Sequence, residues 1–223
     1  MTESMTSSKK NPARQPNILY TALLVALMLL VFAAAASIPF VYESTTLWYK
    51  FGTDRILLLA GQVIGLITLV FFGLQLLLAA RFGVIDRIVG VKRVLKLHQM
   101  IGLLIMLLAL SHALLILGPE GFDNLPLGWK YWPEMIGAFV FVLLCLHVGS
   151  AFYRSNLGLA YRQWRLLHRL IGYSLFLALN CHVLFVSTSF AQGPPRWALF
   201  VFSGTVVLLL ILQKAYPLAR RSS

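Results

Sequence analysis

Six long apolar runs limit the folds that this chain can adopt. The runs cover residues 18–40, 56–80, 94–117, 135–153, 166–186 and 197–212. Crossing the hydrocarbon core of a bilayer takes about 20 residues of α-helix, and each run is close to that length. Inside lipid only helices and closed barrels satisfy their own backbone, and no run shows the alternation of barrel strands. The sequence therefore predicts an all-α membrane protein with a six-transmembrane-helix bundle.

The composition and the placement of charge agree with this prediction. The chain is 59% hydrophobic and 12% charged, whereas soluble domains are about 25% charged. Its net charge of +12 is unevenly distributed, because all but four of the 19 lysines and arginines fall on one side of a six-span topology. The positive-inside rule makes that side, with both termini, cytoplasmic. We therefore interpret the charge as a topology signal, with the lipid bilayer as partner and no nucleic acid.

The expected organisation is one membrane domain between two short tails. Residues 1–17 are polar and predict a disordered cytoplasmic tail, residues 18–215 form the transmembrane domain, and residues 216–223 form a short cytoplasmic tail. We expect an integral, multi-pass protein of a bacterial inner membrane. Outside the spans we find no region that could hold a flavin or a nicotinamide.

The third and fifth runs contain a repeated motif with two histidines. The segments LHQMIG, from Leu97, and LHRLIG, from Leu167, place a histidine at 98 and at 168, and each helix carries a second histidine 14 residues later, at 112 and 182. Fourteen residues of α-helix rise about 21 Å and keep both histidines on roughly the same face. Because imidazole inside a membrane needs a partner, the matched pairs indicate a ligand.

The depth of each histidine in the membrane predicts which histidines form a pair. The third and fifth spans run parallel, so His98 and His168 lie near the cytoplasmic side while His112 and His182 lie near the outer side. This arrangement predicts two b-type haems, each with its iron between two axial histidines. Gly102 and Gly172 follow the inner histidines by four residues and would leave room for a porphyrin. The residues expected to meet the haem propionates are Arg93, Arg165 and Arg169.

Other uses of the histidines fit less well. A hydrogen bond between helices would explain the presence of any one of these histidines, but it would not explain why both helices have the same 14-residue spacing between their histidines. A zinc or di-iron centre would need carboxylate ligands, and no carboxylate lies in the middle of a span. A haem with two axial histidines transfers electrons and does not bind substrate at its iron. His147 lies at about the depth of the inner pair, and of an alternative ligand, a hydrogen-bond partner to the haem edge and a packing role we favour the last two together.

These motifs resemble the ferric reductase-like transmembrane domain family, the membrane haem module of NADPH oxidases and ferric-chelate reductases. The matching residues are Arg81-x-Gly83, Leu97-His98-x2-Ile101-Gly102, His112, Trp164-x2-Leu167-His168-x3-Gly172-Tyr173 and His182. The resemblance implies a six-helix bundle with two b-type haems, held by the same four histidines. It also implies electron flow from cytoplasmic NAD(P)H through FAD to oxygen or ferric iron outside.

We therefore expect a transmembrane electron-transfer cytochrome, the membrane haem subunit of an oxidoreductase. FAD and NAD(P)H would be bound by a cytoplasmic flavoprotein reductase or by a missing C-terminal dehydrogenase domain, and the outer acceptor would be small. One alternative is the haem subunit of a periplasmic reductase of the methionine sulfoxide reductase type, fed by quinol or by a flavoprotein. A second alternative is a haem-free transporter or scaffold.

Overall fold

The computed structural model describes residues 18–121, 127–191 and 193–219, and six long helices dominate it. Each of the six is long and apolar enough to cross a membrane. They are α1 (Ile18–Val41), α3 (Gly52–Ala80), α5 (Val91–Glu120), α6 (Trp132–Phe152), α7 (Tyr161–Val186) and α8 (Pro194–Ala219). The described residues contain no strand. The prediction of an all-α, six-helix membrane protein is confirmed, while the tails predicted at 1–17 and 220–223 lie outside the described residues.

The helices extend beyond the apolar runs, and short helices fill two of the connections. Helix α7 begins five residues before the predicted span, with the Gln163 Oε1 accepting a hydrogen bond from the Ala160 N–H at 3.3 Å. Helices α2 (Thr45–Trp48) and α4 (Gly83–Val89) were not predicted, because neither is long enough to give a signal in hydropathy. Single 3₁₀ turns lie at Trp129–Tyr131, Arg154–Leu157 and Thr188–Phe190.

Helix α3 is the central element of the bundle. Buried residues make up 44% of its most apolar stretch, against at most 22% in the other five long helices. It packs most extensively along α5 and also contacts α1, α7 and α8. The side chains of α3 are apolar on every face of the helix, as expected of a helix enclosed by other helices. Its contribution to the core consists of Leu66, Leu69, Phe72 and Leu76.

The two helices that carry the repeated histidines are supported from outside rather than by each other. Helix α5 lies along α3, and α7 lies along α6. Among the described residues, α5 and α7 make no extensive contact with one another. Each of these two helices is therefore held in place mainly by a different neighbour.

Hydrogen bonds connect the helix ends at both sides of the bundle. At the basic end, the Gln213 side chain donates to the Arg81 carbonyl at 3.1 Å, joining α8 to the end of α3. At the other end, the Thr45 N–H donates to the Thr188 hydroxyl at 3.0 Å. These contacts define two opposite ends, of which the basic one is expected to face the cytoplasm.

Cysteine labelling tests this orientation. In a background with Cys145 and Cys181 replaced by alanine, we expect Trp129→Cys to react with a membrane-impermeant maleimide in intact cells, since Trp129 is 89% exposed at the less basic end. Ser155→Cys, between α6 and α7 at the basic end, should react only after the cells are opened. The opposite pattern would reverse the topology.

Candidate functional site

The structure brings the four repeated histidines together as two pairs of equal depth. The ring centres of His98 and His168 are 6.4 Å apart, and those of His112 and His182 are also 6.4 Å apart. The ring planes are inclined by 65° in the inner pair and by 82° in the outer pair. These are the two pairs that the sequence predicts, on α5 and α7.

The separation within each pair is the one that a shared metal ion requires. A metal–imidazole bond is about 2.0 Å long, and a ring nitrogen lies about 1 Å from the ring centre. Two imidazoles on opposite sides of one metal ion therefore have ring centres about 6 Å apart. Both observed separations agree with this value, so the spacing of each pair is compatible with one metal ion between its rings.

Backbone carbonyls hold the outer histidines. The Nδ1 of His112 lies 2.8 Å from the Gly61 carbonyl oxygen on α3, and the Nδ1 of His182 lies 2.7 Å from the Pro133 carbonyl oxygen on α6. A carbonyl oxygen can only accept a hydrogen bond, so each Nδ1 must carry the proton. The lone pair is then on Nε2, which is the tautomer that a metal ligand needs.

A glycine four residues after each carbonyl makes these hydrogen bonds possible. In a helix, side chains lean towards the N-terminus, so the side chain at i+4 normally covers the carbonyl of residue i. After Gly61 that position is Gly65, where a Cβ would lie 2.8 Å from Nδ1 of His112. After Pro133 it is Gly137, where a Cβ would lie 2.5 Å from Cε1 of His182. Both glycines therefore leave space for a histidine ring.

The inner histidines are held differently. The Nδ1 atoms of His98 and His168 are buried and have no hydrogen-bond partner among the described residues. The ring of His168 instead lies in a stack, 5.0 Å from the Trp164 ring at 28° and 3.9 Å from the His147 ring at 16°. His98 is fixed through its backbone, because the Gln75 side chain donates to the His98 carbonyl at 2.6 Å.

The glycines predicted to make room for a porphyrin lie next to side chains from other helices. A Cβ on Gly102 would lie 3.1 Å from Nε2 of Gln75. A Cβ on Gly172 would lie 3.8 Å from Leu76 and 4.0 Å from His147. Gly102 thus exposes the His98 carbonyl to Gln75 by the same i, i+4 arrangement as in the outer pair. Their proposed contact with a porphyrin stays a prediction.

The predicted propionate partners all have exposed side chains at the basic end of α5 and α7. The guanidinium of Arg165 lies 5.4 Å from the centre of the Tyr161 ring, so it is partly engaged in a cation–π contact. The contact of these side chains with propionates stays a prediction for Arg93, Arg165 and Arg169.

The donor set matches a haem iron better than a free metal ion. In the part of the chain that the structure describes, no group of three or more His, Cys, Asp or Glu residues is arranged to hold a metal ion. A haem iron needs only two axial ligands from the protein, because the porphyrin supplies the other four. Two imidazoles on helices held apart, one pair near each end of the bundle, therefore fit haem.

Several residues of the site could not be identified from the sequence. The Gly61-x3-Gly65 pattern predicts close helix packing, and Gly61 does lie against Ile116 of α5. Its second role, exposing a carbonyl to His112, requires knowing which face of α5 is opposite. The same holds for the residues that contact His182 and His98, which are Pro133, Gly137 and Gln75.

The comparison with known families agrees with this geometry. The model of the family described as "Ferric reductase like transmembrane component" matches residues 64–179, just over half of the chain. The matched segment includes His98, His112, His147 and His168 and ends before His182. No curated protein and no solved structure matches the chain significantly.

Replacing Gly137 tests the arrangement around His182. Gly137→Ala would push the ring from its hydrogen bond with the Pro133 carbonyl, at a cost of about 1–3 kcal/mol of stability. We expect the melting temperature of the purified protein, followed by circular dichroism, to fall by several degrees. Gly149→Ala on the same helix is the control, because its Cβ would meet nothing within 4 Å. An unchanged melting temperature for Gly137→Ala would contradict the arrangement.

Proposed function

The chain belongs to the ferric reductase-like transmembrane component family, and on that basis we propose that it is a transmembrane b-type cytochrome. In this proposal it carries electrons from a cytoplasmic flavin or NAD(P)H donor to ferric iron or oxygen on the outer side. The observation that carries the proposal is the presence of two histidine pairs, each with ring centres 6.4 Å apart, at two depths of one bundle.

His98 and His168 would hold the inner haem, and His112 and His182 the outer one. When bound, each haem would supply a one-electron iron couple, held by two histidines of the chain. The chain then has three tasks, which are to fix the four imidazoles, to keep water away from them and to separate the two sites. The hydrogen bonds of the outer pair, the stack around His168 and the hydrogen bond of Gln75 to the His98 carbonyl would perform the first task.

Two buried residues form the layer between the sites. Ile105 is seven residues from both histidines of α5, and Leu175 is seven residues from both histidines of α7. Seven residues are about two turns, so each lies on the face of its helix that carries the histidines. Their exposed fractions are 1% and 0%. These two positions between the pairs are therefore apolar and buried, which supports the proposal of two sites in series across the bundle.

The charges at the basic end fit a donor that approaches from that side. Exposed arginines surround the start of α7, including Arg162, Arg165 and Arg169. A reduced flavin with its phosphates is anionic, and so is the acidic face of a flavoprotein. A positively charged surface raises the local concentration of such an anionic donor. We propose a cytoplasmic flavoprotein, or a dehydrogenase domain joined to this one, as the donor.

Haem content tests the proposed function first. Purified wild-type protein, expressed with ample haem, should give a reduced-minus-oxidised spectrum of two low-spin b haems per chain. His112→Ala should lower the content towards one haem, because the outer iron loses an axial ligand. Ser111→Ala is the control, since its hydroxyl donates only to the Leu107 carbonyl of its own helix at 2.9 Å.

Absence of a Soret band from the wild type would overturn the proposal and favour a transporter or scaffold. Electron transfer itself can be measured in vesicles loaded with ferricyanide, with an impermeant reductant added outside. The wild type should reduce the trapped ferricyanide, while His112→Ala should not. Equal rates in the two proteins would contradict a path through the outer pair.

The ring planes give a second, spectroscopic prediction. In ferric haems with two axial imidazoles, the anisotropy of the electron paramagnetic resonance (EPR) signal grows as the planes of the two rings approach a right angle. With planes inclined by 65° and 82°, both sites should give highly anisotropic low-spin signals, the outer one more so. Two rhombic signals, typical of parallel rings, would contradict the ring orientations.

A further inference from the structure

We propose that His147 is a positioning residue of the inner site, whose imidazole packs flat on His168 and fixes the plane of that ring. This inference rests on the proposed haem function. His147 lies on α6, outside the two repeated motifs, and has no counterpart that stacks on the outer pair among the described residues.

The contact between the two rings is close and nearly parallel. Their centres are 3.9 Å apart and their planes differ by 16°, which is the geometry of two aromatic rings in van der Waals contact. The Trp164 ring also lies close to His168, with its plane inclined by 28°. Gly172 lies beside this contact, where a Cβ would be 4.0 Å from Nε2 of His147, an ordinary van der Waals distance.

His168 needs such a contact because no hydrogen bond orients it. Rotation of an imidazole about its bond to Cβ is governed by a broad, roughly two-fold torsion, so the torsion alone does not select one plane. In the outer pair, the hydrogen bonds to the Gly61 and Pro133 carbonyls make that selection. For His168 the Nδ1 has no partner among the described residues, and stacking is the contact that remains.

The effect of His147 should therefore appear in the angle between the planes of His98 and His168. That angle is 65°, with the His168 plane parallel to His147 within 16°. If the stack is removed, His168 can turn about its own axis while still holding the iron. The number of haems and the low-spin state would then remain, and only the anisotropy of the inner signal would change.

Two substitutions at position 147 separate the stack from other roles. His147→Leu removes the flat ring and should shift the largest g-value of the inner haem, as well as its midpoint potential, while the outer haem keeps its values. His147→Phe retains a flat ring without nitrogen and should restore the wild-type inner signal. Leu146→Ala, on the lipid-facing side of the same helix with 65% of Leu146 exposed, is the control for altered packing of α6.

The outcomes distinguish this inference from the proposed function. An inner signal that is the same in wild type and His147→Leu would overturn the role of His147 while leaving the two haems in place. Loss of the inner low-spin signal in both variants would also overturn it, because His147 would then act through its nitrogen, as a ligand. A wild-type protein without haem would instead remove the proposed function on which the inference rests.

Discussion

An imidazole nitrogen in the interior of a membrane is costly without a partner, and the outer part of this bundle is arranged so that its two histidines each have one. In the outer pair, each Nδ1 is satisfied by a backbone carbonyl of a neighbouring helix, at Gly61 and at Pro133. The remaining nitrogen of each ring has its lone pair free, and the centres of the two rings lie 6.4 Å apart. The carbonyls of the neighbouring helices therefore determine which ring nitrogen is available to bind a metal ion.

Helix α3 contacts α5 near both of its histidines, although only His112 receives a partner for a ring nitrogen from it. It presents the Gly61 carbonyl to His112 and the Gln75 amide to the His98 carbonyl, and both contacts depend on a glycine four residues after the carbonyl. Because α5 is anchored along α3 and α7 along α6, the facing sides of α5 and α7 need not pack on each other. The lack of extensive contact between α5 and α7 is a consequence of this external support.

The sequence was sufficient for features that depend on one helix at a time. Hydropathy located the six spans, and the spacing of His98, His112, His168 and His182 predicted which rings would meet, since parallel helices bring equal depths together. Features that depend on how neighbouring helices are rotated about their own axes could not be predicted from the sequence. Nothing in the sequence near Gly137 indicates that its missing side chain faces His182, and the depth of His147 gave no sign that it stacks on His168.

The two sites share a ligand set but differ in what supports it. A hydrogen bond from Nδ1 to a carbonyl increases electron donation by the imidazole, which favours the oxidised form of a bound metal. The outer pair has two such bonds, whereas the Nδ1 of His168 in the inner pair has no partner among the described residues. Stacking on Trp164 and His147 fixes a ring without this increase in donation. Four identical side chains therefore do not make the two pairs equivalent, because the residues around the histidines differ.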